Sequence, residues 1–157
     1  MSQQINLMIA DDHPLFVEGL KMILSSEPQF TINGIANDGK QLLYLLTQQP
    51  QTDLILLDVN MPHLNGLDTI KYIKQSFGSV KVLMLSAYSD QKLVEEARVA
   101  GADGYILKNS NREALVGAIK RVNGGQQVFE VEPANDQEEL FRKMDVFLRK
   151  YDLTKRE

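Results

Sequence analysis

The chain has 157 residues, of which 43% are hydrophobic and 24% charged, with a net charge of −4. That length and balance suit one globular domain with a modest extension, and a core large enough to stand without staples. There is no cysteine, which excludes disulfides and thiolate metal sites. The acidic balance argues against a broad nucleic-acid-binding face. No apolar run approaches membrane-spanning length, and no basic region followed by a long apolar run marks a signal peptide, so a soluble cytoplasmic protein with no membrane partner is expected.

In chain order, residues 5–10 (INLMIA) form the first apolar run, which ends in Asp11-Asp12. His13-Pro14 follows, with Pro14 suited to the first turn of a helix. Phe16, Leu20, Ile23 and Leu24 recur at helical spacing until Glu27-Pro28 stops them. Residues 30–35 alternate like a strand. Asn37-Asp38-Gly39 opens a second helix carrying Leu42, Leu43 and Leu46. Residues 53–58 (DLILLD) read as a strand buried on both faces, ending in Asp58. Pro62 and Asn65-Gly66 mark a tight loop. A third helix bears Leu67, Ile70, Ile73 and Phe77.

Residues 80–86 (VKVLMLS) are the next strand. Ser89-Asp90 caps a fourth helix with Leu93, Val94 and Ala97 inward, and Gly101 ends it. Residues 104–108 (GYILK) are a short fifth strand. Ser110 and Glu113 are expected to form a capping box for a fifth helix, which carries Leu115, Ala118, Ile119 and Val122 and ends at Gly124-Gly125. Residues 126–135 read as a linker. Residues 136–151 read as an amphipathic helix with Leu140, Phe141, Met144, Phe147, Leu148 and Tyr151 on one face.

Five alternations of strand and helix predict an α/β fold, a parallel sheet covered by helices on both faces. Ligands of such sheets bind beyond the carboxyl ends of the strands. Those ends carry Asp11 and Asp12, then Asp58, Ser86 and Lys108, which the fold would gather at one edge. Three neighbouring carboxylates repel unless a cation sits among them. Hard oxygen donors without sulfur select magnesium, which keeps waters that a phosphate can replace. Lys108 adds a second positive charge beside Asp58, and Ser86 a hydroxyl. The set makes a cradle for a phosphoryl group attached to Asp58. His13 and His63 flank the site and read as loop residues.

These residues resemble the receiver domain of bacterial two-component response regulators. The resemblance rests on Asp11-Asp12, LLDVNMPHLNG around Asp58, LMLSAY around Ser86 and GADGYILK around Lys108, and it covers residues 5–125. It implies a doubly wound, flavodoxin-like sheet of strand order 2-1-3-4-5. It implies Asp58 as phosphoacceptor for a sensor histidine kinase, and magnesium bound by Asp12 directly, by Asp11 through water, by Asp58, and by the Asn60 main-chain carbonyl. Ser86 and Lys108 would contact the phosphoryl oxygens. Tyr105 matches the switch aromatic that turns inward on activation, where the residues alone read as a half-buried strand tyrosine. The face of the fourth helix, fifth strand and fifth helix is the expected homodimer surface, with the C-terminal helix as another. The family often has a cis-linked proline after the lysine, where this chain has Asn109, and Ser86 stands where threonine is commoner.

The DDHP start is typical of the NarL/FixJ subgroup, and LTKRE at 153–157 resembles the opening of a LuxR-type helix-turn-helix domain. The expected organisation is a receiver domain over 1–125, linker and helix over 126–152, and the start of a truncated output domain over 153–157. DNA would then be bound only through the absent output domain. Such a protein is not an enzyme beyond taking up and losing its own phosphoryl group. The alternatives are a stand-alone receiver in a phosphorelay, a haloacid-dehalogenase-like phosphatase and a flavin carrier. The phosphatase needs an acid where Asn60 stands. The flavin carrier needs a phosphate-binding loop where Asp11-Asp12 would repel phosphate.

Overall fold

A computed structural model describes residues 4–61 and 65–129. The expected linker after 129, the helix over 136–151, the segment 153–157, and Pro62 and His63 in the loop lie outside the described residues. The elements alternate without exception: β1 (Ile5–Ala10), α1 (Pro14–Ser25), β2 (Phe30–Ala36), α2 (Gly39–Gln48), β3 (Leu54–Asp58), α3 (Gly66–Ser76), β4 (Lys81–Ser86), α4 (Gln91–Ala100), β5 (Gly104–Leu107) and α5 (Arg112–Asn123). The strands form one parallel sheet in the order β2-β1-β3-β4-β5. Among the described residues no helix is long and apolar enough to cross a membrane.

The two-residue period of a strand divides the core in two. Leu7, Ile9, Leu54, Leu56, Leu83 and Leu85 face α1 and α5. Met8, Ile55, Leu57, Val82, Met84 and Tyr105 face α2, α3 and α4. β3 is buried along its whole length, which is why it reads as an unbroken apolar run. β2 lies at an edge and is only half-buried between its ends. A bulge between Leu7 and Met8 leaves Asn33 unpaired with β1, and the Asn33 amide donates to Thr52 Oγ1 at 2.9 Å.

Carboxylates stitch the amino ends of the strands. Asp53 Oδ2 accepts from the Asn6 N–H at 2.8 Å. Asp103 Oδ2 accepts from the Val82 N–H and from Lys74 Nζ, each at 2.8 Å. Helix starts follow the usual capping chemistry, with Asp38, Asn65 and Asp90 each accepting from a first-turn N–H. At α5 the cap falls one residue later than the expected Ser110. The Ser110 N–H closes a tight turn onto Leu107 O, so Asn111 takes the extended backbone and its side chain accepts from Ala114 N at 2.8 Å. α1 has no side-chain cap at His13.

Gly66 is the packing constraint that places the site. A Cβ there would lie 2.5 Å from Asp58 O and 3.1 Å from Val59 Cα. Only a bare backbone lets α3 start against the end of β3. Gly66→Ala should therefore cost about 1–3 kcal/mol through overpacking. Gly117→Ala, on an α5 position with nothing within 4 Å, should instead stabilise by about 0.5–1 kcal/mol. Urea unfolding of both variants checks the contrast.

Candidate functional site

In this strand order the chain crosses over between β1 and β3, so their carboxyl ends border an open crevice. Asp11 follows β1 and is almost wholly buried, its N–H bonded to Ala36 O at 3.0 Å. Asp12, next in the chain, is a third exposed. Asp58 ends β3 and is 3% exposed. Lys108 follows β5, and its N–H donates to Ser86 O at 2.7 Å. That bond fixes where the lysine side chain starts.

Lys108 Nζ lies 2.8 Å from Asp11 Oδ2 and 3.3 Å from Asp58 Oδ1. It also stands 4.5 Å from the centre of the Phe16 ring, which supports the cation from α1. The Asn60 N–H points at Asp58 Oδ1 over a long 3.4 Å. A cleft of ≈ 620 Å³ opens over these groups, lined in part by Asp12, Asp58, Asn60, Tyr88 and Lys108.

The structure thus draws Asp11, Asp12, Asp58 and Lys108 together, with Asn60 at the rim. Ser86 ends the neighbouring strand, buried, and its Oγ accepts from the Tyr88 N–H at 3.1 Å. Tyr105 is wholly buried, not half-buried, and its hydroxyl donates to Tyr88 O at 3.2 Å. No peptide bond among the described residues is cis, that between Lys108 and Asn109 included.

His13, read from sequence as a loop residue, belongs to this cluster. Its Nδ1 is 2.7 Å from Asp11 Oδ1, 3.4 Å from Asp12 Oδ1, 3.5 Å from Asp58 Oδ2 and 3.1 Å from Lys108 Nζ. The signal was Pro14: it starts α1 immediately after His13, so the short turn cannot carry the ring away from Asp11. The His13 N–H also donates to Asp11 Oδ1 at 2.8 Å.

One carboxylate, one imidazole nitrogen and two further carboxylates, from Asp58, His13, Asp11 and Asp12, offer ligand atoms that all lie within 4.8 Å of one another. Asp58 Oδ2 is buried and accepts no hydrogen bond. An oxygen-rich pocket with an unsatisfied anionic oxygen suits a hard divalent cation. Burial and the neighbouring Asp11 charge push Asp58 up to about 6, against the opposing pull of Lys108, the Asn60 N–H and His13.

Residues 7–120 match the profile of the response regulator receiver domain. The chain is 38% identical over 130 residues to the transcriptional regulatory protein DegU of Brevibacillus brevis, covering 80% of this chain and 55% of that protein. It superposes with a TM-score of 0.75 on the signal receiver domain of the putative response regulator NarL from Mycobacterium tuberculosis, at 31% identity, covering 80% of this chain and all of that one. CheY, in its complex with CheX, beryllofluoride and magnesium from Borrelia burgdorferi, aligns with a TM-score of 0.72 at 28% identity over 76% of this chain and 90% of that one. The chain belongs to the response regulator receiver domain family, and its relatives are response regulators of the NarL and DegU type. It spans about half the length of the curated relatives it matches.

The raised Asp58 pKa has a stability consequence. Unfolded, the group titrates near 3.8; folded, near 6. Between those values the folded state holds more protons, so stability falls as pH rises through that window and the loss is complete above it. The shift of about two units corresponds to at most ~3 kcal/mol. Asp58→Asn should therefore stabilise the divalent-free protein by about 1–3 kcal/mol at pH 7 and far less at pH 4. Thermal unfolding in chelator at the two pH values checks this; equal gains at both contradict it.

Proposed function

We propose that this chain is the receiver half of a transcription regulator of a two-component system. Asp58 accepts a phosphoryl group from a sensor histidine kinase in the cytoplasm, in a magnesium-dependent step. Residues 1–125 form the receiver, residues 126–152 connect it onward, and residues 153–157 begin a LuxR-type output domain, which alone contacts DNA. The observation that carries the reading is Asp58 itself: a buried carboxylate with an unsatisfied oxygen, facing a cleft, with an ammonium 3.3 Å away.

The chemistry follows from that placement. The raised pKa marks a carboxylate poorly stabilised as an anion, yet still ionised at neutral pH, which makes it a competent nucleophile. Its oxygen attacks phosphorus, the bond to the donor breaks, and an acyl phosphate forms on Asp58. Lys108 is held to meet the charge on the phosphoryl oxygens. The Ser86 hydroxyl, at the adjacent strand end, is within the same edge of the sheet for a second contact. Asp11, Asp12, Asp58 and the Asn60 carbonyl would hold magnesium, which when bound neutralises oxygens on the transferring group. Rearrangement of Ser86 and Tyr105 then alters the face of α4, β5 and α5, where a homodimer would form. In this structure Tyr105 already occupies the inward position.

Incubation with acetyl phosphate and magnesium should add one phosphoryl mass to the intact protein. Asp58→Asn should add none, and a chelator should block uptake in the wild type. Lys108→Ala should slow uptake by a factor of ~100 or more, the usual scale for loss of one charge-stabilising group. A phosphoryl group found on the Asp58→Asn protein would reject the assignment. Asp12→Ala should weaken magnesium binding about tenfold or more, read by calorimetry; unchanged affinity would remove Asp12 from the ligand set.

A further inference from the structure

The residues just after α5 do not simply leave the domain. Gly125, with φ +99°, turns the chain back, and Gln126 N–H returns to Arg121 O at 3.0 Å. Val128 then lies beside β5 as a parallel bridge to Gly104. Its N–H donates to Asp103 O at 3.2 Å, and its carbonyl accepts from the Tyr105 N–H at 2.8 Å. Val128 is buried, 3% exposed. Gly104 permits the approach, since a Cβ there would lie 3.0 Å from Val128 O and 2.8 Å from Leu83 Cδ1. Phe129 packs on the same apolar cluster that contains Tyr105, Val94 and Ala97, and the Arg98 guanidinium of α4 lies 4.7 Å from its ring centre.

The two contacts of this segment meet one residue. Tyr105 offers its N–H to Val128 and shares its apolar surroundings with Phe129, while its hydroxyl holds Tyr88 O. Tyr88 in turn donates its N–H to Ser86 Oγ. A hydrogen-bonded path therefore runs from Ser86 at the phosphoryl site to the chain leaving the domain. We propose that residues 126–129 form a strap, docked on the β5 edge and on α4, whose attachment depends on the Ser86–Tyr88–Tyr105 arrangement and so transmits the state of the site to the segment that follows.

The strap also completes an otherwise open strand edge at Tyr105, where an unpaired N–H would cost free energy. Strap docking and the inward tyrosine then stabilise each other, and by reciprocity a change at either end is felt at the other. Part of the α4–β5 surface is consequently covered by the chain's own residues. The proposal rests on the phosphoacceptor reading of Asp58 only for the event that drives it.

Amide hydrogen exchange measured by NMR on the ¹⁵N-labelled chain tests the strap. Phe129→Ala should speed exchange of the Tyr105 amide, and Tyr105→Phe that of the Val128 amide, each by about fivefold, the scale of one hydrogen bond or its packing. The Lys81 amide, bonded to Asp53 O at 3.0 Å, should be unaffected in both. Acetyl phosphate with magnesium should change Val128 exchange in the wild type once intact mass shows the phosphoryl group. Unchanged Val128 exchange in the fully phosphorylated protein overturns the proposal. If no phosphoryl group is taken up, the Asp58 assignment fails instead, and the strap is then decided by the two variants. Unchanged Tyr105 exchange in Phe129→Ala together with unchanged Val128 exchange in Tyr105→Phe overturns it.

Discussion

The ammonium of Lys108 is the charge on which the carboxyl edge of this sheet depends. Asp11 and Asp58 are both nearly removed from water, and two anions so placed repel strongly in a low-dielectric setting. Lys108 Nζ reaches both, at 2.8 and 3.3 Å. It is itself held in two ways, by its backbone bond to Ser86 O and by the face of the Phe16 ring. The compensation is incomplete, because one ammonium serves two carboxylates that burial has already stripped of water. Burial first, and the Asp11 charge second, therefore leave the Asp58 pKa raised in spite of Lys108. A site that is left short of positive charge has affinity for more of it, as a hard divalent metal ion would supply.

The sheet makes such an unbalanced site tolerable. Its two apolar faces are filled by separate clusters, one under α1 and α5, the other under α2, α3 and α4. The polar work is confined to strand ends. At the amino ends, Asp53 and Asp103 accept hydrogen bonds that tie neighbouring elements together. At the carboxyl ends, the acids are left with an unsatisfied buried oxygen. The same residue type thus serves as a structural stitch at one edge and keeps unmet acceptor capacity at the other. Hydrogen-bond supply, not residue identity, separates the two roles.

Between site and exit, the β4–α4 loop is the narrow passage. Tyr88 bonds Ser86 through its N–H and Tyr105 through its carbonyl. One residue therefore joins the Ser86 hydroxyl at the carboxyl edge of the sheet to the aromatic ring inside the α4 layer. Tyr105 then reaches the sheet edge, where Val128 is paired. Each link is a single discrete hydrogen bond, which is the kind of element that a local charge change can bias.

Much of this was legible in the amino acids alone. The unbroken apolar run before Asp58 reads as a strand buried on both faces, which β3 is, and five strand–helix alternations with short connections leave few topologies other than a doubly wound parallel sheet. Strand-end acids, hydroxyl and lysine, far apart in the chain, fall at one edge of the sheet in that topology. What tertiary structure decided was subtler. Ser110 lost the α5 cap to Asn111 because a turn onto Leu107 consumed its backbone. His13 entered the acid cluster because Pro14 starts α1 at once. Residues 126–135 read as a linker from sequence, with no strand period, yet within them Val128 pairs with β5 because a sheet edge lies within reach after the turn at Gly125. Local pattern encodes which elements form and what their ends carry. Which polar group is satisfied, and by whom, depends on neighbours that only the folded chain brings within hydrogen-bonding distance.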